Sequence, residues 1–174
     1  MNRLPKHRLH VNRNFERIYS SECCEGDFCS CMVDKGYHGF YENSVNASAA
    51  YLENEEGKVI ARCIIYNEVE DQDGKIWRLA ERQYSSGNSE ILKRALVDAL
   101  VKENHIDGYK KVGAGCHEAR NFVDVEGNSL SDKGSVSPVI WIGTTTCLIR
   151  TVSSITTTAR VWLIITRKAV FFWM

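Results

Sequence analysis

The strongest periodic signal in the chain runs from Ser89 to Asn104, where Ile91, Leu92, Ala95, Leu96, Ala99 and Leu100 recur at helical spacing. Asn88 or Ser89 can cap this helix, and Glu90 lies in the first turn, where the macrodipole favours an acid. Lys93, Arg94, Asp98, Lys102 and Glu103 fall on the opposite side and are expected to face water. Upstream the period changes to two. Residues 47–54 and 58–69 are β-patterned runs joined by Glu55, Glu56 and Gly57, which predicts a hairpin. In the second run Val59, Ala61, Cys63 and Ile65 alternate with Ile60, Arg62, Ile64 and Tyr66, so both faces are covered, as in an inner strand. A turn at residues 71–74 leads to a third strand over 75–84, with Ile76, Leu79 and Tyr84 as anchors. Residues 106–115 and 121–127 read as a fourth and a fifth strand, whereas residues 1–22 and 23–42 show no clear period. The fold class this implies is α+β, a mainly antiparallel sheet packed on one long amphipathic helix.

Strand, turn, strand, turn, strand, glycine-bearing loop, helix, strand is an order that resembles the core of the GNAT-type N-acetyltransferases, over Ala47 to Val112. In that family the loop before the helix binds the acyl-CoA pyrophosphate through backbone amides, usually in a Q/R-x-x-G-x-G/A motif. The corresponding stretch here runs from Arg82 to Ser89, with Ser89 as the second small residue. The resemblance implies Gly87, Asn88 and Ser89 as cofactor-binding residues and acetyl-CoA as the ligand; a helix N-terminus suits a phosphate. A second resemblance is to small proteins encoded by phages of gut bacteria. It rests on Cys31-Met32, Tyr41-Glu42-Asn43, the Gly57 to Arg62 hairpin and the Arg82 to Tyr84 strand end. That likeness implies a viral accessory protein in a bacterial cytoplasm, with a host protein as partner and antagonism of host defence as one role.

Composition divides the chain near residue 135. Residues 1–134 hold all 22 acids and all seven tyrosines and no threonine, whereas residues 135–174 hold eight threonines, three of four tryptophans and no acid. The organisation read from this is a basic segment over 1–22, an α+β core over 23–134 and an atypical tail over 135–174. Two readings of the tail stay open. Its threonines, isoleucines and tryptophans suit a β-hairpin. Alternatively it is translation in a shifted frame: in the frame using the last base of each codon, Trp141–Ile142 and Trp173–Met174 both encode aspartate, and every Thr–Thr step encodes Tyr, His, Asn or Asp. Its apolar runs are split by Thr166, Arg167 and Lys168, well short of the ~20 residues a spanning helix needs. No membrane attachment and no signal peptide are expected.

Net charge is −4 over residues 1–134, from 18 bases and 22 acids, and +4 over the tail. Arg3, Lys6, Arg8, Arg13 and Arg17, with His7 and His10, make the N-terminus locally basic, so nucleic-acid binding through it is a candidate. Seven cysteines without a secretory signal point to a reducing cytosol. Cys23, Cys24, Cys29 and Cys31, with His38, are the densest potential ligand set, and zinc requires four such donors. Adjacent Cys116 and His117 point to opposite sides of an extended chain and read as a turn. Asp71, Asp73 and Gly74 also read as a turn, since Trp77 and Leu79 stand where calcium ligands would follow. The leading expectation is a non-catalytic, cofactor-free protein that binds another macromolecule. The alternatives are an acyl-CoA-dependent N-acyltransferase and a zinc-stabilised nucleic-acid binder.

Overall fold

The computed structural model describes residues 6–36, 38–71, 73–115 and 121–130, with the backbone of short strands at 137–138, 141–142 and 145–146. In chain order the elements are β1 (His7–Asn12), α1 (Phe15–Tyr19), α2 (Gly39–Glu42), β2 (Ala47–Asn54), β3 (Val59–Glu70), β4 (Ile76–Ala80) and β5 (Tyr84–Ser85). A 3-10 turn over Ser86–Asn88 then leads into α3 (Glu90–Lys102), followed by β6 (Gly108–Lys110), β7 (Phe122–Asp124), β8 (Ser137–Pro138), β9 (Trp141–Ile142) and β10 (Thr145–Thr146).

The predicted hairpin forms as β2 and β3. Gly57 takes the left-handed conformation (φ 77°), and the Asn54 carboxamide oxygen accepts from the amides of Glu56 and Lys58 at 3.0 and 2.9 Å, closing the turn. Alternation along β2 sends Ala47, Ala49 and Tyr51 to one cluster and Ala50 and Leu52 to the other. Every residue of β3 from Val59 to Ile65 is buried, which makes it the inner strand that its two-faced pattern predicts. The sheet order is β1-β2-β3-β4-β6-β7, with β5 and β8 also pairing β3, while β9 and β10 form a separate two-stranded sheet.

Two features depart from the simple antiparallel picture. β6 runs parallel to β4, because α3 carries the chain back across the sheet before β6 joins. At that junction Gly108 has no room for a side chain: a Cβ there would lie 2.7 Å from the Val123 carbonyl and 2.9 Å from Leu79 Cδ2. The third strand is also interrupted. Ile65 faces Ala80 but Arg62 faces Tyr84, so four residues on one side span three on the other and the strand bulges between β4 and β5.

Both faces of the sheet are covered. Leu96, Leu100 and Ala95 of α3 pack with Ile60, Cys63, Ile65 and Ile106 on one side. On the other, α1 and the segment after it place Phe15, Ile18, Tyr19, Cys24 and Phe28 against Val59, Ile64 and Tyr51. Thus α3, at 13 residues, is the long helix, and two short helices accompany it on the opposite face. The aperiodic first 42 residues therefore supply an edge strand and half of a core. Asn14 caps α1 by accepting from the Arg17 amide at 3.1 Å.

Three side chains sit differently from their pattern. Ile76 and Ile91 are each 53% exposed rather than anchoring, and Lys93 is only 4% exposed. Lys93 lies along the first turn of α3 and its ammonium reaches Asn88 Oδ1 at 2.5 Å, so its stem is covered while its charge is solvated by an amide. The Asp71 turn is as expected. Its Oδ1 accepts from the amides of Asp73 and Lys75, and its Oδ2 accepts from Trp77 Nε1 at 2.9 Å.

Candidate functional site

Arg62 lies in the middle of β3 and is 1% exposed. Alternation sends it to the α1 face, where three rings surround its guanidinium carbon: Tyr19 at 4.4 Å, Tyr84 at 4.9 Å and Phe28 at 5.5 Å. α1 supplies Tyr19, the bulged β5 supplies Tyr84, and the segment after α1 supplies Phe28. Ring faces carry negative charge density but offer no hydrogen-bond acceptor comparable to a carboxylate. Arg62 Nε and Nη2 are buried and have no hydrogen-bond partner among the described residues.

Two acids of the surrounding segments, Glu81 and Asp27, bond other partners, and neither bonds Arg62 among the described residues. Glu81, in the bulge, takes the buried Lys110 ammonium at 2.8 Å and the Arg82 amide at 3.0 Å. Asp27 accepts from the Cys29 amide at 2.8 Å and the Cys29 thiol at 3.4 Å. Gln83, also buried, spans the bulge by donating from Nε2 to the carbonyls of Glu81 and Lys110, each at 3.0 Å. A cleft of about 240 Å³ opens beside this cage, lined by Ser21, Cys24, Gly26, Asp27, Phe28, Ser30 and Val33. Phe28 is at once a wall of that cleft and a ring over Arg62.

The titratable groups around the cage are held in their protonated forms. Burial raises Tyr19, Tyr41 and Tyr66 well above the usual phenol range, and the hydroxyl of Tyr41 hydrogen-bonds with those of Tyr19 and Tyr66. Burial likewise pushes the Cys24 thiol to about 11 and raises Cys63, while the hydrogen bond to Asp27 raises Cys29.

The residues expected to take a pyrophosphate lie at the entrance to α3. Gly87 and Asn88 both have positive φ (57° and 54°), and Ser89 caps the helix by accepting from the Leu92 amide at 3.4 Å. Gly87 N–H donates to the Asp27 carbonyl at 2.9 Å and Ser89 N–H to Ser86 at 3.2 Å, so two of these three amides are used internally. The proposed zinc ligands are dispersed. Cys24 is buried with its thiol directed to the Ile18 carbonyl at 4.0 Å, Cys23 is half-buried, and Cys29 and Cys31 are exposed. His38 caps α2 through its backbone and not its ring. Among the described residues no three His, Cys, Asp or Glu side chains are placed to hold a metal.

In the basic N-terminus Lys6, His7, Arg8 and Arg13 are exposed and Arg17 is half-buried, and several of these cations are engaged by the protein's own acceptors. Arg13 donates to the carbonyls of Ala47 and Glu42, each at 2.8 Å, and Arg17 bonds Glu53 and the Gly57 carbonyl. Lys6 pairs with Glu55 at 3.3 Å, and Arg3 lies outside the described residues, as do Cys116 and His117. No helix among the described residues is long and apolar enough to cross a membrane. The pattern did not single out Arg62 as a site. Its signal is a lone guanidinium inside the apolar run from Val59 to Ile65.

No protein-family model matches the chain, and no curated protein matches it. Among solved structures, a ribosomal-protein-alanine N-acetyltransferase from Brucella melitensis biovar Abortus 2308 is similar at 11% identity. The likeness covers 57% of this chain and 73% of that one, with a TM-score of 0.38. A similarity at that level assigns no activity to this chain.

Proposed function

We propose that this protein acts by binding another macromolecule rather than by catalysis. In this reading it is an accessory factor of phage or mobile-element type in a bacterial cytoplasm, its partner is a host protein, and antagonism of host defence is within its range. The observation that carries it is the state of the groups that would have to react. A thiol held near 11, as Cys24 is, presents on the order of one thiolate in ten thousand at pH 7, and Cys63 and the three tyrosines are raised further. Glu81, the acid nearest the bulge, is engaged by Lys110 and a backbone amide, and Gln83 fills the gap beside it. These groups build an interior; none is poised as nucleophile or base.

An acyl-CoA-dependent N-acyltransferase is the second reading. The parallel β4–β6 pair, with the capped N-terminus of α3 between them in sequence, favours it. Incubation of the purified protein with acetyl-CoA and a panel of amine acceptors separates the two. The binding reading expects no free thiol release above the uncatalysed rate, and sustained release overturns it.

A further inference from the structure

We infer that the side-on fork of Arg62, formed by Nε and Nη2, receives a carboxylate that enters through the cleft bordered by Phe28. The inference is independent of the function proposed above.

Three observations meet here. The first is which nitrogens lack a partner. Nε–H and one Nη2–H lie on the same edge of the guanidinium plane and point the same way, and this edge matches the two oxygens of a carboxylate. The protein demonstrates the match elsewhere: Arg78 grips Asp107 through the same two atoms, Nε to Oδ2 at 3.0 Å and Nη2 to Oδ1 at 2.7 Å. Arg62 presents that fork without an acid among the described residues to fill it.

The second is charge. An arginine cannot shed its proton to escape burial, so a guanidinium that is 1% exposed needs compensation. Tyr19, Tyr84 and Phe28 supply part of it through their ring faces, but those contacts leave Nε–H and Nη2–H unmade. Asp27 accepts from the Cys29 amide and thiol through its two oxygens, Glu81 accepts both Lys110 and the Arg82 amide at Oε1, and neither acid bonds Arg62 among the described residues.

The third is access. The cleft between Ser21 and Val33 shares Phe28 with the cage, so this one ring borders both the cleft and the guanidinium. Cys24, on the same wall, is close enough for the Arg62 charge to act on its thiol. The volume suits a small carboxylate or the end of a peptide, not a nucleotide.

The test uses the full chain. Sodium acetate replaces sodium chloride at constant ionic strength while the Arg62 Nε–H resonance is followed by ¹⁵N NMR and melting is recorded alongside. The expected result is a saturable displacement of that resonance and a Tm higher by roughly 5–10 °C at a hundredfold excess over Kd. Arg62→Met removes the charge at similar volume and abolishes the Tm response. The wild-type resonance stands as the readout even if that variant does not fold. A displacement that stays linear to the highest concentration, or none at all, overturns the inference. A peptide ending in a free carboxylate is run against its amidated form and against acetate. Tighter saturation by the free-ended peptide assigns the ligand to a chain terminus, and equal saturation by acetate assigns it to a small free acid.

Discussion

Burying a cation costs several kcal/mol unless something restores what water provided, and Arg62, Lys93 and Lys110 are all buried. Each is compensated in its own way. Lys110 has a carboxylate, Glu81; Lys93 has an amide oxygen, Asn88; Arg62 has three ring faces and, among the described residues, no acid. The opposite constraint acts at Gly108 on β6, where its two neighbours, parallel β4 and antiparallel β7, leave no space. Gly108→Ala forces a Cβ to within 2.7 Å of a backbone carbonyl, which cannot swing aside as a side chain would. Overpacking of this kind costs about 1–3 kcal/mol, read as a lower urea midpoint with an unchanged slope. An unchanged midpoint would mean that β6 and β7 shift freely against each other. These residues were poorly legible in the sequence for a common reason. Periodicity assigns a charged residue to water and an apolar one to the core, and here Lys93 and Ile91 exchange those places. Arg62 fell in the correct strand, but its partners come from segments whose positions the pattern did not give.

At the scale of elements, β2, β3 and α3 were readable because each satisfies its own period and its own cap or turn. Gly57 and Ser89 stand at their boundaries in the expected roles. β1 and α1 were not readable, since six- and five-residue elements are too short to establish a period. The break between β4 and β5 was missed as well, because a bulge is fixed by pairing with β3 and leaves no local mark. The join between α3 and β6 is secured by Arg78 on β4, which bonds both Asp107 oxygens and the Asn104 carbonyl at 2.7 Å. The hydrogen bond from Arg78 holds the Asp107 carboxyl below its ordinary value. A depressed folded-state pKa contributes stability that is complete above the unfolded value of about 3.9 and lost as pH falls through the folded one. Acid titration of Tm should therefore show a drop below about pH 4 that is smaller in Arg78→Ala, and identical profiles would remove this pair from the account. The effect is modest, because both side chains are about one-third exposed.

At the scale of the molecule, the element order was legible and the layering was not. The sheet is covered on both faces, and the second cover comes from the aperiodic first 42 residues. Its core is drawn from residues before the compositional break near 135, Leu130 being the last buried apolar side chain among the described residues. β8 touches β3 at two positions, and among the described strands β9 pairs with β10. Deletion of residues 141–174, which lie beyond the compositional break, is expected to change Tm by no more than about 2 °C. A larger loss would place the tail in the core. The shifted-frame reading of that tail is a separate proposal, and the coding DNA downstream of codon 135 decides it.

In the proposed function this fold binds without reacting, and the α3 entrance, with the Gly87 and Ser89 amides already donated, does not serve an acyl-CoA. Isothermal calorimetry of the full-length protein with acetyl-CoA at millimolar concentration addresses it most directly. Heats no larger than those of dilution are expected. A saturable one-to-one isotherm that disappears in Gly87→Ala or Ser89→Ala would contradict it.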